Sequence, residues 1–282
     1  MKCNTPIAIL LGVYNGEKYL SEQIDSLLNQ TYKDWTLYIR DDASTDATVE
    51  IAKGYATRYD NIIVVEDELG NLGCNGNYFE LLKKVQSRYY MFCNADDFWF
   101  PNKILLSINK MKEAELHYND MPLIVHTDLS VGDANLNVLA ASNWQLSHYN
   151  PERFKTYNYM GITCMCAGAT LLFNTKARDN CFPEFTGKGL YFDHWLALQN
   201  VSKGKILTIY EPTLIYRQIG TNVVGLRNAE ERSLKYKLMH LSKLWKIYID
   251  SARVLKEIGW GGYPKYFWYK FLYVIKTTLI TK

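Results

Sequence analysis

A chain of 282 residues, 48% apolar and 22% charged, is long enough to bury a substantial core as one large domain or a domain with an appendage. No window approaches the roughly 18 consecutive apolar residues of a spanning helix, which excludes a membrane-embedded chain and leaves a soluble or peripheral one. The net charge of +3 conceals an asymmetry: residues 226–282 carry twelve Lys and Arg against four acids, leaving −5 for the preceding part.

Six cysteines (Cys3, Cys74, Cys93, Cys164, Cys166 and Cys181) are scattered without a CxxC pair, and no secretory signal precedes the first apolar run at Ile7. The expectation is a reducing, cytoplasmic setting with buried thiols.

Along the first hundred residues, short β-rich apolar runs alternate with amphipathic helical patterns, the rhythm of a mainly parallel α/β sheet. Strands are predicted at Ile7 to Val13, Trp35 to Arg40, Ile62 to Glu66 and Tyr89 to Cys93, with helices near 17–29, 45–58, 75–87 and 101–115. The first helix carries Tyr19, Leu20, Ile24, Leu27 and Leu28 on one side. Further strands are expected at Leu123 to Val131, Cys164 to Phe173, Ile206 to Ile209 and Leu214 to Arg217, with a helix near Phe192 to Ser202. Cys164 and Cys166 would then share a strand face, and Met165 and Phe173 would join the core. Beyond Gly225, apolar residues from Leu234 to Ile258 recur at helical spacing, and an aromatic, basic segment follows from Tyr263 to Lys282.

Ligands of open α/β sheets settle beyond the carboxyl ends of the strands. Here those ends carry Tyr14-Asn15-Gly16-Glu17, Asp41-Asp42-Ala43-Ser44-Thr45-Asp46 and Asn94-Ala95-Asp96-Asp97. Like charges gathered on one edge repel, so a cation or a hydrogen-bonding ligand would relieve them. A hard divalent ion needs only one or two carboxylates when substrate phosphates and water complete its shell. Turn chemistry and helix capping are the plainer readings of Ser44, Asp46, Asn71 and Asn77.

The run LLGVYNGEKYLSEQIDSLLNQTYKDWTLYIRDDASTD resembles the amino-terminal signature of family 2 glycosyltransferases. The resemblance continues through Asn71-Leu72-Gly73, Asn77, NADDFW, the GATLLFN segment from Gly168, FDHW from Phe192 and YRQIGTNVVG from Tyr216, the later pieces being similar to a rhamnosyltransferase-like branch. It implies a GT-A fold over residues 1–225, while the helical spacing and the charge past Gly225 make 226–282 a basic, amphipathic helical extension. It further implies inverting transfer of a hexose or deoxyhexose from a UDP- or dTDP-sugar, assisted by Mg²⁺ or Mn²⁺, to a hydroxyl of a glycan or lipid-linked acceptor.

For individual positions, the resemblance puts Val13 and Tyr14 against the nucleotide and has Asp41 or Asp42 accept a hydrogen bond from the pyrimidine ring. Asn71 and Asn77 lie near the nucleotide, Asn94 and Asp97 near ribose or donor sugar, and Asp96 on the metal. Asp193 would be the base that deprotonates the acceptor hydroxyl. Arg217, Gln218 and Asn222 would assist the leaving diphosphate, although Arg217 also suits an ordinary ion pair and His194 ordinary packing. Two positions depart from the pattern: Asn94 stands where Asp is usual, and Ile219 where His often follows Gln218. A nucleotide-sugar-binding scaffold of weakened activity is one rival. A sugar nucleotidylyltransferase is another, although residues 7–20 offer only Lys18 for the basic phosphate loop it needs. The mixture of Tyr, Phe and Trp with Lys after Tyr263 suits a lipid headgroup surface, and equally a helix that packs on its own domain or on a partner. The acidic catalytic part and the absence of a nucleic-acid motif argue against nucleic acid.

Overall fold

The structure, a computed structural model, describes residues 5–147, 149–153, 155–164, 166–182, 190–219, 239 and 241–278. Its elements in chain order are β1 (Ile7–Val13), α1 (Leu20–Leu28), β2 (Trp35–Asp41), α2 (Thr48–Arg58), β3 (Ile62–Val64), α3 (Gly73–Lys84), β4 (Tyr89–Cys93), β5 (Phe98–Trp99) and α4 (Lys103–His117). Then come β6 (Leu123–Gly132), β7 (Val138–Ala140), α5 (Asn143–Leu146), α6 (Tyr157–Ile162), a 3₁₀ turn (Gly168–Thr170), β8 (Leu171–Asn174) and α7 (Thr175–Asp179). The last are α8 (Phe192–Asn200), β9 (Lys205–Arg217), α9 (Leu241–Glu257) and α10 (Tyr263–Thr278).

One nine-stranded sheet runs β3-β2-β1-β4-β8-β6-β9-β5, with β7 paired to β6. Strands β1 to β4 are mutually parallel, β8 is antiparallel to both β4 and β6, and β9 is parallel to β6. This is the mixed, mainly parallel GT-A architecture. The period of two along β1 divides the core: Ile7, Ile9 and Leu11 pack with α1, α2 and α4, while Ala8 and Leu10 pack with the cluster of α3 and α8.

Because β8 is reversed, the 3₁₀ turn that enters it lies at the edge where β4 ends. The carboxyl ends of β1, β2, β4, β6 and β9 open on that same edge, so residues distant in sequence converge there.

Two expectations need correction. The Cys164 to Phe173 segment is a strand only from Leu171, because the Gly168 N–H, which a ladder would use, donates instead to Asp193 (2.8 Å). Cys164 and Cys166 therefore share no strand face; the Cys164 thiol bonds the Cys166 carbonyl at 3.5 Å. The two strands expected between Ile206 and Arg217 are one strand whose register against β6 shifts where Asp128 meets Pro212, since proline cannot donate to a ladder. The carboxyl-terminal extension is helical as expected, in two pieces: the aromatic segment from Tyr263 is a second helix, separated from α9 by Gly259 and Gly261 at φ +76° and +147°. Leu234, Leu238, Met165, Asn222 and the 225/226 boundary lie outside the described residues.

Helix α10 is docked on the catalytic fold. Trp260 donates to the Tyr157 carbonyl (2.9 Å) and lies so close over Gly161 that a Cβ there would meet its ring at 2.2 Å, while Asn158 donates to the Tyr269 hydroxyl (2.7 Å). Its opposite side leaves Trp268, Phe271 and Val274 exposed.

Candidate active site

The loops after β1 and β2 are stitched together. Asn15, in the left-handed region at φ 50°, donates its N–H to Ser44 Oγ (2.8 Å) and accepts from Thr45 N (2.9 Å). Gly16 N donates to Thr48 Oγ1 (2.7 Å) and Glu17 N to Asp46 Oδ2 (3.1 Å). Val13 is buried, and its carbonyl accepts from Asp42 N at 2.8 Å, while Tyr14 stands exposed beside it. Asp46 accepts from the N–H of Thr48, the first residue of α2, but Ala47 is the residue at the cap position and makes no side-chain cap bond.

The adjacent carboxylates of Asp41 and Asp42 have different surroundings. Asp42 is buried and committed: Oδ1 accepts from the Arg40 guanidinium (2.9 Å) and Leu72 N (2.8 Å), and Oδ2 from Gly73 N (2.9 Å). Asp41 accepts from Ser44 N through Oδ2 (2.8 Å), but its Oδ1 is enclosed with no hydrogen-bond partner among the described residues. Asn71 donates to the Asp42 carbonyl (2.8 Å). Asn77 is no helix cap; it lies inside α3, buried against Gly12, and accepts from Arg40 at 3.2 Å. Arg40 also clamps Asp67 through Nε and Nη2, both at 3.0 Å, and with Lys84 holds that carboxyl well below the usual range. One buried arginine thus organises the nucleotide-side expectations Asp42 and Asn77.

At the end of β4, Asn94 donates from Nδ2 to Asp97 Oδ2 (2.9 Å), and the Tyr78 hydroxyl bonds both the Cys93 carbonyl (2.8 Å) and Asn94 Oδ1 (3.1 Å). Asp97 is fully buried, and its Oδ1 has no partner among the described residues. Burial, then the neighbouring Asp96 charge, pushes its pKa well up; burial likewise raises that of Asp96. Two adjacent carboxyls resisting ionisation, one with an unused buried oxygen, form a donor set that suits a hard divalent cation. Among the described residues no group of three or more His, Cys, Asp or Glu would hold a metal by itself, so such an ion needs oxygens from a diphosphate and water.

Arg217 is 2% exposed and already engaged. It donates to the Asp96 carbonyl (2.9 Å), the Ala134 carbonyl (2.6 Å) and Glu22, and stacks over Tyr19 at 4.5 Å. It shapes the Asp96 loop rather than presenting a free cation. Gln218 is held through its N–H on the Gly132 carbonyl (2.9 Å).

Asp193, in the first turn of α8, accepts from Gly168 N through Oδ2 (2.8 Å) and from His194 N through Oδ1 (2.7 Å). Burial raises its pKa to about 6 against the opposing pull of those bonds. His194 packs beneath, its Nε2 at 2.5 Å from the Met160 carbonyl and its pKa lowered to about 4 by burial. Cys74, on α3, lies within range of both sides of the site: burial first, then the charges of Asp193 and Asp42, raises its thiol to about 12. Tyr78, one turn on, is raised by burial and feels Asp97 and Asp96. Helix α3 therefore lies between the carboxylate of α8 and the pair after β4.

Sequence reasoning missed Arg40, Asn75, Tyr78 and Lys103. The i, i+2 spacing of Arg40 near the end of β2 and Asp42 just beyond it was a readable signal, as was Lys103 on the buried stripe of α4 with Ile104, Ser107, Ile108 and Met111. Lys103 donates to Thr213 Oγ1 (3.2 Å), and burial lowers its pKa to about 7.

A curled mixed sheet gathering paired carboxylates, a committed DD turn and a buried Asp at a helix start onto one edge defines a GT-A enzyme of the nucleotide-sugar glycosyltransferase class. The family model described as Glycosyl transferase family 2 matches residues 8–175, more than half of the chain, and the chain belongs to that family. It is 33% identical over 274 residues to the dTDP-rhamnosyl transferase RfbG of Shigella flexneri, covering 89% of each protein. It is 32% identical over 133 residues to the putative glycosyltransferase EpsE of Bacillus subtilis, covering 47% of this chain and only 46% of that relative. Among solved structures, S. aureus TarS 1–349 superposes with a TM-score of 0.60 at 16% identity, covering 88% of this chain and 80% of that one. The mannosyltransferase PcManGT from Pyrobaculum calidifontis, in complex with GDP-Man and Mn²⁺, gives 0.57 at 13% identity, covering 99% and 81%. These two likenesses bear on the fold alone.

Proposed function

We propose that this glycosyltransferase carries out inverting transfer of a deoxyhexose, rhamnose from dTDP-rhamnose, to a hydroxyl of a glycan acceptor in surface polysaccharide synthesis. The donor assignment is supported by the similarity to the Shigella flexneri rhamnosyltransferase along 89% of the chain.

The observation that carries the reading is Asp193. A general base works best with a pKa near the operating pH, and a carboxyl at about 6 is ionised at neutral pH yet basic enough to accept a proton. Its bonds to Gly168 N and His194 N favour the ionised carboxylate and hold back part of the rise that burial causes. The acceptor hydroxyl would lose its proton to Asp193 while its oxygen attacks the anomeric carbon from the side opposite the diphosphate. Asp96, backed by Asp97, would hold a divalent cation whose charge offsets that developing on the leaving diphosphate. Asp41 Oδ1, enclosed and without a partner among the described residues, is the better-placed acceptor for the N–H of a pyrimidine ring, since Asp42 is already taken. Tyr14, exposed beside it, offers a face for the base.

The carboxyl-terminal helices suit a lipid-linked acceptor. Trp245, Ile247, Trp268, Phe271 and Val274 are exposed on α9 and α10, and residues 241–278 carry seven Lys and Arg against two acids. Such a surface would lie on an anionic membrane at its cytoplasmic face. Among the described residues no helix is long and apolar enough to cross a membrane. Residues 226–282 would thus be a membrane-facing extension of the 1–225 catalytic unit.

The test is release of dTDP from dTDP-rhamnose with Mn²⁺. The wild type should turn the donor over, and Asp193→Asn should lose about 10²- to 10⁴-fold. An Asp193→Asn enzyme at full rate removes the base assignment. Turnover of UDP-glucose in preference to dTDP-rhamnose removes the donor assignment.

A further inference from the structure

Helix α8 carries Asp193 but lacks a cap of its own: Tyr191, which precedes its first residue, makes no side-chain cap bond. The first N–H groups of a helix have no partner within it and must find one elsewhere. Phe192 N finds it on a different helix, donating to Asn75 Oδ1 at 2.9 Å, across 117 residues of sequence. The same carboxamide donates from Nδ2 to the Leu190 carbonyl at 2.8 Å. One side chain thus grips the backbone on both sides of Tyr191, immediately before Asp193. A carboxamide offers a donor and an acceptor side by side on one planar group, whereas an ionised carboxylate only accepts.

The other end of this clamp is fixed as well. Asn75 lies in the first turn of α3, where the N–H groups of Leu72 and Gly73 are bound to the Asp42 carboxylate at 2.8 and 2.9 Å. One turn further, Tyr78 stacks on Phe192 with ring centroids 4.0 Å apart and bonds the Cys93 carbonyl at 2.8 Å. We infer that Asn75 is a positioning residue for Asp193, holding the start of α8 in register with the nucleotide-bearing end of α3. The inference rests on the reading of Asp193 as the base. It adds that the distance between base and donor is set by a carboxamide that touches neither substrate nor metal.

The test measures kcat and KM for dTDP-rhamnose with Mn²⁺ by dTDP release, and dTDP affinity by calorimetry, in Asn75→Ala and Asn75→Asp. Misplacing a catalytic group by about an ångström costs on the order of 10²-fold. Asn75→Ala should therefore lose roughly 10- to 100-fold in kcat, with donor KM and dTDP affinity within about twofold of wild type. Asn75→Asp, which keeps the acceptor for Phe192 N and loses the donor to Leu190, should fall between; if the alanine variant does not fold, this variant carries the test. On an Asp193→Asn background Asn75→Ala should add nothing to the residual rate, because a residue acting through another is non-additive with it. Wild-type kcat in either Asn75 variant, parallel loss of kcat and dTDP affinity, or effects that multiply with Asp193→Asn would overturn the inference. Full activity of Asp193→Asn alone would instead overturn the base reading, so the two failures are distinct.

Discussion

Asp42 and Asp193 receive the same local treatment and end in opposite states. Each carboxylate accepts from two backbone N–H groups near a helix start, Leu72 and Gly73 for Asp42, Gly168 and His194 for Asp193. Asp42 has in addition the buried guanidinium of Arg40 at 2.9 Å, whereas no ion pair among the described residues involves Asp193. A buried carboxylate with a cation is a structural rivet; one without a cation keeps its basicity for chemistry. The Asp42 end of this site is accordingly neutralised, whereas Asp193 has no cation against it among the described residues and burial disfavours the ionised forms of Asp96 and Asp97.

The same isosteric change should expose the difference most sharply. Asp193→Asn is expected to abolish all but about 10⁻² to 10⁻⁴ of donor turnover while leaving the thermal melt nearly in place. Asp42→Asn should show the reverse emphasis, since it leaves the Arg40 charge buried with one partner fewer. Going further, Arg40→Leu strands Asp42 and Asp67 together, and a broken buried pair costs about 3–5 kcal/mol. Chemical denaturation would read this loss, and an Arg40→Leu protein of wild-type stability would break the comparison.

Protonation supplies a smaller, graded version of the Asp193 change. Its carboxyl, raised from 3.8 to about 6 by burial, is ionised at pH 7 and becomes protonated as the pH falls through about 6. Turnover should therefore decline about tenfold per pH unit below that point, and a pH–rate profile flat down to pH 4.5 would contradict the assignment. The smallest expected effect lies outside the site. Trp268→Ala, on the exposed side of α10, should change stability by less than about 0.5 kcal/mol yet weaken flotation with phosphatidylglycerol vesicles. Unchanged flotation would mean that this aromatic surface serves something other than lipid.

Much of the fold was legible because its signals are local. The alternation of Ile7 to Val13, the stripe of α1 and the polar runs at the strand ends come from periodicities that any window of the chain displays. The same strand-end reading brought Asp41, Asp42, Asn94, Asp96 and Asp97 to one edge. Less legible were the short elements β5, β7, α5, α6 and α7, whose few residues carry no full period.

The sequence alone determined the family, the positions of the parallel strands along the chain and the identity of the carboxylates gathered on one edge. Tertiary structure decided how each of those carboxylates is buried and paired. Arg40 reaches back to Asp67 and Asn77 as well as Asp42, Arg217 turns inward to the Asp96 carbonyl, and Gly168 gives its N–H to Asp193 instead of a strand ladder. The physical reason is that burial, and every pairing here except that of Arg40 with Asp42 two residues on, depends on neighbours brought together from 25 to more than 100 residues away. A local pattern records that an acid is present, and the packed chain determines how deeply it is buried and what else lies against it.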